Sequence, residues 1–374
     1  MTRKYSVVDL SNLTDSYTTD GSFFLGFTKP TMANPASPTS SDNVGAAFGW
    51  NGVTLADITF DYVIGPNSTV TNKRFKSYVT FTDSTSVARN CVFESRAPGG
   101  TFKQGIITGS NGGTLDRCSI YQTPTSAVWY MNGIYSTGGT WTLNRCHVSK
   151  VLDSWHTSFG SIKMYGCDLG PYSFWDTDTD HSSDAFFPYW SHGDNGGQRL
   201  NGLVNTDEVI GCNVHSYFDT TDVTYNGTHY VNGANTIGNP AACMNGNKKD
   251  TGGSYLGEGS THRFTLANYA NGITYSNTAP YTGMTFNYNW FDGGHYVFGI
   301  LLTNAGNHSV TIIGNRFGMG GEPWSGNNAY NFVMYPAGTT YTASGNVIDN
   351  LLNVPFGLRN TPVTFDSTGA RQAA

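Results

Sequence analysis

The residues best equipped for chemistry lie between positions 175 and 199. The stretch Trp175-Asp176-Thr177-Asp178-Thr179-Asp180-His181-Ser182-Ser183-Asp184 alternates carboxylates with small polar residues. In an extended chain the period of two puts Asp176, Asp178 and Asp180 on one face, with neighbours about 6.5–7 Å apart. Inverting glycosidases hold their acid and base carboxyls ~6.5–9.5 Å apart, leaving room for a water. Crowded like charges raise the pKa of at least one of them, as a general acid requires. His192, Asp194, Gln198 and Arg199 follow closely. The catalytic candidates are therefore Asp178, Asp180, Asp184, His192 and Asp194. A lyase would instead need a strong base beside a carboxylate-bound cation, and Lys163 and Arg199 are the residues of that type.

Two other readings of the stretch stay open. Asp176, Asp178, Asp180 and Asp184 fill positions 1, 3, 5 and 9 of an EF-hand-like loop. His181 stands where such a loop needs Gly and Phe187 where it needs Glu, which excludes an EF-hand and leaves a looser Ca²⁺ loop on Asp176, Asp178 and Asp180. The plainest reading is a polar surface loop whose Asp side chains cap turns. No cofactor is required by any of the three, and Ca²⁺ enters only through the second. Aromatic residues crowd the same region, among them Trp175, Tyr189 and Trp190. Sugars present apolar faces that stack on such rings, so these three, with Gln198 and Arg199, are the substrate-binding candidates; aromatics also pack readily on strands. A second cluster, Tyr225, Tyr230, Tyr255, Tyr269, Tyr275 and Tyr281, lies among Asn, Ser and Gly, the composition of adaptable binding loops. No phosphate-binding glycine loop, recognisable Ser-His-Asp arrangement or zinc motif accompanies them.

The elements that position these residues are announced by a recurring phrase. It reads Arg89-Asn90-Cys91-Val92-Phe93, Asp116-Arg117-Cys118-Ser119-Ile120, Asn144-Arg145-Cys146-His147-Val148, Tyr165-Gly166-Cys167-Asp168-Leu169 and Ile210-Gly211-Cys212-Asn213-Val214. Asn289, Asn315 and Asn346 later occupy the place of the cysteine. A period of roughly 20–30 residues carrying strand-like runs points to a solenoid. No sustained helical period is present, and flanks such as Ile162-Lys163-Met164-Tyr165 suit strands. The expected fold is all-β, a single-stranded right-handed parallel β-helix with long insertions. Its cysteines should be reduced and stacked in one buried column about 4.8 Å apart, where Asn can substitute as a hydrogen-bonded ladder.

Composition limits the alternatives. Charged residues make up 12% of the 374, and the net charge is −6. That balance argues against nucleic-acid binding, which needs a basic surface. No apolar run of ~18 residues is present, so membrane insertion is not expected. Residues 1–45 lack the phrase and are interrupted by Pro30, Pro35 and Pro38, which suits an N-terminal arm, cap or attachment segment. The coils should run over 46–351, with insertions at 170–206 and 216–283, and 352–374 reads as a frayed polar C-terminal tail.

Lys29-Pro30-Thr31-Met32-Ala33-Asn34 leads into Gly52-Val53-Thr54-Leu55-Ala56-Asp57-Ile58-Thr59-Phe60, and the rung phrases follow. This arrangement resembles the right-handed β-helix minor tail proteins and tailspikes of bacteriophages, especially of actinobacterial hosts, and their pectate-lyase-like secreted relatives. His192-Gly193-Asp194-Asn195-Gly196-Gly197-Gln198 is similar to that group's His-x-Asp-Gly-x-Gln phrase, with one extra residue. The resemblance implies a virion tail protein that binds host cell-surface polysaccharide and acts as a depolymerase if it cleaves. It implies attachment to other virion tail proteins through the N-terminal segment and a homotrimer, although the sequence has no heptad stalk to impose one; the start Met1-Thr2-Arg3-Lys4-Tyr5-Ser6 has no apolar stretch behind its basic pair, so release is expected by lysis unless a signal has already been removed. A structural virion β-helix without glycan activity and a secreted bacterial polysaccharide lyase or glycoside hydrolase are the alternatives.

Overall fold

The computed structural model describes residues 54–94, 105–122, 132–149, 154–157, 161–170, 207–216, 284–293, 298–302, 308–317, 332–336, 339–348, 361–366 and 369–372. It also describes 30, 32, 44–46, 151, 187–188, 223–225, 228–230 and 263–265. The described residues hold strands and turns and no helix, so none that could cross a membrane.

Short β-rich runs separated by turns leave the chain no local way to bury an apolar face, so each run pairs with its counterpart one repeat away. Gly105–Gly109 pairs in parallel with Asn132–Ser136, Gly112–Asp116 with Thr140–Asn144, and Ser119–Tyr121 with His147–Ser149. The chain thus visits three sheets in turn, and the visits build a six-stranded, a nine-stranded and a twelve-stranded sheet. Pairing is parallel throughout the first two. The twelve-stranded sheet turns antiparallel at its end, where Val347–Ile348 meets the hairpin of Thr361–Asp366 and Gly369–Gln372. The tail expected to fray therefore carries two strands, which cover the last edge of that sheet and satisfy its main-chain groups. Asp168 pairs directly with Asn213, and Asn213 with Trp290. The long intervals between Cys167, Cys212 and Asn289 are thus single circuits with excursions. Those excursions are not all loop: Phe187–Pro188 joins the six-stranded sheet, Arg263–Thr265 pairs in parallel with Phe298–Leu302, and Val223–Tyr225 with Thr228–Tyr230 forms a hairpin.

All three sheets turn alternate side chains toward one apolar core. Phe81, Ile107 and Ile134 enter it from the six-stranded sheet, Leu115, Leu143, Met164, Val209 and Phe286 from the nine-stranded sheet, and Phe75, Phe93, Ile120, Val148 and Val214 from the twelve-stranded sheet. Phe75 stacks on Phe93 at 5.0 Å between ring centres, and Trp141 tilts against Phe81 at 5.2 Å. Trp141 also donates its Nε1–H to Ser136 Oγ at 2.9 Å, which satisfies a buried polar group.

The corner between the nine- and twelve-stranded sheets explains the recurring phrase. The residue before each column position is left-handed: Asn72, Asn90, Arg117, Arg145, Gly166, Gly211, Tyr288, Gly314 and Gly345 have φ between 45° and 64°. That conformation turns the chain sharply while its N–H still bonds the next circuit, as Arg145 N does to Tyr165 O at 2.9 Å. The next residue then points inward. Cys91, Cys118, Cys146, Cys167 and Cys212 are buried free thiols, as the repeat predicts. Cys167 Sγ donates to Leu143 O at 3.4 Å and accepts from Cys146 N at 3.4 Å. Asn315 makes the same two bonds with its amide, donating to Phe286 O at 2.7 Å and accepting from Asn289 N at 2.9 Å. The amides also link to one another, Asn289 Nδ2 to Asn315 Oδ1 at 3.0 Å and Asn315 Nδ2 to Asn346 Oδ1 at 2.9 Å.

All five thiols of the column are buried, and that burial, more than any thiol's acidity, withdraws them from a reagent in solvent. Ellman's reagent should therefore find at most one reactive thiol per native chain, because only Cys243 lies outside the described column. All six should react once guanidinium unfolds the protein; native reaction at several of the five would refute the column.

Candidate functional site

With the inward positions assigned, the outward ones follow by alternation. On the nine-stranded sheet Ile162 and Met164 are core residues, so Lys163 and Tyr165 face outward. The next strand pairs Lys163 with Glu208 and Tyr165 with Ile210. Tyr165 Oη donates to Glu208 Oε2 at 2.6 Å, and Lys163 Nζ lies 3.4 Å from Glu208 Oε1. Glu208 is only 3% exposed, whereas Lys163 is about one-third exposed, so the carboxylate is held from both sides while the ammonium reaches solvent. The neighbouring Asp207 is buried and accepts from Ile162 N at 2.9 Å. A carboxylate, a phenol and an ammonium in contact can move a proton or hold sugar hydroxyls. Lys163, considered above as a lyase base, is thus tied to Glu208. Among the described residues no group of three or more His, Cys, Asp or Glu could hold a metal ion.

The twelve-stranded sheet carries a second polar row. The residue after each column cysteine faces outward, and register aligns Ser119, His147, Asp168 and Asn213 on four consecutive strands. Asp168 is the hub. Its Oδ2 accepts from His147 Nδ1 at 3.0 Å and from Met32 N at 3.0 Å, and its Oδ1 accepts from Asn213 Nδ2 at 2.6 Å. A carboxylate only accepts here, so the His147 proton sits on Nδ1. Its Nε2 has no hydrogen-bond partner among the described residues. The row is covered from outside. Ala46 N donates to Ser119 Oγ at 2.9 Å, Ser119 Oγ lies 3.4 Å from Met32 Sδ, and Gly45 N donates to Arg145 O at 2.7 Å. Residues 32 and 44–46 therefore lie across the outer side of this sheet, over the circuits of Cys118, Cys146 and Cys167.

Asp176, Asp178, Asp180, Asp184, His192, Asp194, Trp175, Tyr189, Trp190, Gln198 and Arg199 lie outside the described residues, and the Ca²⁺ loop with them. The strand Phe187–Pro188 within that excursion pairs with His156–Thr157, anchoring its middle on the six-stranded sheet. Glu208, Tyr165, His147, Asp168 and Asn213 were not singled out from sequence. The signal that finds them is simple: align the column residues, then read the positions one after, two before and four before each. Compared with family models, with curated proteins and with solved structures, the chain matches none.

Proposed function

We propose that the three sheets close into a single-stranded, right-handed parallel β-helix serving as a tail-associated virion protein that binds host cell-surface polysaccharide. The hand follows from the near-universal right-handedness of parallel crossover connections. The observation that supports the reading is the shared core: three sheets, parallel over the coils, face one apolar column, and closing them into a prism would repeat outward side chains every ~4.8 Å. Such a face suits a polymer with repeating hydroxyls. The N-terminal segment serves attachment to other tail proteins, and the protein acts outside the cell after lysis. The Lys163–Tyr165–Glu208 contact favours a second reading in the same frame, a polysaccharide depolymerase, hydrolase or lyase, borne by a virion or secreted.

The test is incubation with envelope polysaccharides of candidate hosts, scored for binding, new reducing ends and unsaturated product. If the 175–199 excursion cleaves, Asp178→Asn or Asp194→Asn abolishes turnover while binding and Tm are kept. If Glu208 and Tyr165 cleave, Tyr165→Phe lowers turnover about 100-fold or more, the usual scale for losing a positioned general acid or base, measured well below a Tm that itself falls because the buried Glu208 loses a donor. If the excursion only binds, Trp175→Ala and Trp190→Ala weaken adsorption and no product forms. Loss of Tm on EDTA treatment, matched by the Asp changes, identifies a Ca²⁺ loop. A protein that binds and cleaves no glycan is the structural virion component.

A further inference from the structure

Alternation gives the nine-stranded sheet two outward rows, and they differ in kind. Register through the stack places Thr69, Thr114, Thr142, Thr285, Thr311 and Thr342 in the first row, with Val87 and the paired Lys163 and Glu208 between them. The second row, two residues further along each strand, holds Thr71 as its one threonine. Threonine suits an outward strand position, but that preference acts on both rows alike. It does not account for threonine gathering in one of them.

Threonine presents a methyl and a hydroxyl together. On the six-stranded sheet Thr80 and Thr108 stand in register on consecutive circuits, and their Oγ1 atoms bond each other at 3.2 Å. Thr114 and Thr142 stand in the same relation on the nine-stranded sheet but do not bond each other. Neither they nor Thr69 have a side-chain hydrogen-bond partner among the described residues. Thr69 is exposed and the other two are half-buried. Their hydroxyls are therefore left to solvent or a ligand, and those of consecutive circuits recur at about 4.8 Å. That interval is close to the length of one pyranose unit in an extended chain. The charged residues of the two rows occur as opposite pairs: Arg89 Nε lies 3.7 Å from the Asp116 carboxylate, and Lys163 Nζ 3.4 Å from that of Glu208. Rows balanced in this way offer no net field to an ionic polymer. They suit a neutral one, whose hydroxyls exchange bonds with threonine while its apolar ring faces lie on the threonine methyls and Val87. Thr69 to Lys163 is four circuit steps. At one strand spacing per step that is about 19 Å, room for about four sugars.

We infer that the outer face of the nine-stranded sheet from Thr69 to Lys163 binds a neutral, linear polysaccharide lying along the stack, with one end of the bound stretch at the Lys163–Tyr165–Glu208 contact. The inference rests on the glycan-binding reading and adds the substrate class and the face. It involves neither the 175–199 excursion nor the N-terminal segment.

Anion exchange divides the envelope polysaccharides of candidate hosts into neutral and acidic fractions, and each fraction is a probe. The parent should bind a neutral fraction, with an affinity little changed by salt. The double variant Thr114→Val/Thr142→Val removes two hydroxyls and keeps the branching and strand preference of the side chains. It should keep its Tm and bind the neutral polymer at least about fivefold more weakly, the scale of one neutral hydrogen bond. Thr80→Val/Thr108→Val is the control: it removes the same groups from the six-stranded sheet and should leave the affinity unchanged. A Thr114→Val/Thr142→Val variant that binds as the parent does overturns the inference, and so does equal weakening in the control. A parent that binds acidic fractions alone overturns it as well. In each of these cases glycan binding itself stands. A parent that binds no fraction overturns both.

Discussion

Asn315→Leu should lower the stability of the chain by about 3–5 kcal/mol, the range for breaking a buried network. Leucine has the branching and heavy-atom count of asparagine and is the bulkier of the two, so no cavity opens and the loss comes chiefly from hydrogen bonds. The Asn315 amide donates to Phe286 O and Asn346 Oδ1 and accepts from Asn289 N and Asn289 Nδ2. After the change the Asn289 N–H and the Phe286 carbonyl face an apolar side chain in the interior. Each orphaned group costs about 1–3 kcal/mol. Asn315→Cys is the informative companion. A thiol in that column accepts the preceding circuit's N–H and donates to its carbonyl, as Cys167 does with Cys146 N and Leu143 O. Cysteine should therefore recover most of what leucine loses. Urea unfolding at constant m-value measures both. Equal losses in the two variants would mean that side-chain volume, not the ladder, holds the column.

The same comparison explains what was legible in the sequence. A buried column is one structural position repeated, so its occupant is restricted at every turn: small, apolar enough for the interior, and able to exchange a bond with the neighbouring circuit. Cysteine and asparagine meet those demands, and their recurrence exposed both the period and the strands around it. The residue before them was visible too, often as Gly or Asn, because few residues tolerate a left-handed corner. The outward faces were not legible in that way. Asp168 and Glu208 look like ordinary polar positions of a half-exposed strand. Their burial depends on what lies over them, which for Asp168 is a segment more than a hundred residues earlier. Alternation assigns a side chain to a face without saying whether that face is covered. The excursion residues were chosen for the opposite reason, because a dense run of carboxylates and rings stands out locally, and the described structure does not reach them.

Asp168→Ala should detach the N-terminal segment and destabilise the chain together. Asp168 sits at 3% side-chain exposure and collects three donors, from His147, Asn213 and Met32. Alanine leaves all three buried without this acceptor, and breaking one side of a buried charged contact costs about 3–5 kcal/mol. The Met32 bond is the link that matters for assembly, because it ties the segment around residue 32 to the Cys167 circuit through the main chain, whatever side chains the segment carries. Ser119→Ala separates the two effects. It removes the acceptor for the buried Ala46 N, a loss of about 1–3 kcal/mol, together with the weak bond to Met32 Sδ, and leaves the Asp168 hub intact. Chymotrypsin cleavage after Phe48 or Trp50 reports the segment, and the unfolding midpoint reports the fold. Asp168→Ala should accelerate the cleavage strongly and lower the midpoint by the larger amount; Ser119→Ala should accelerate it modestly with a smaller fall in the midpoint. If Asp168→Ala lowers the midpoint but leaves cleavage at the parent rate, the hub stabilises the sheet alone and the segment is held elsewhere. On the proposed tail-associated role, virion incorporation that falls in step with the cleavage rate would tie attachment to docking of the segment on this sheet face.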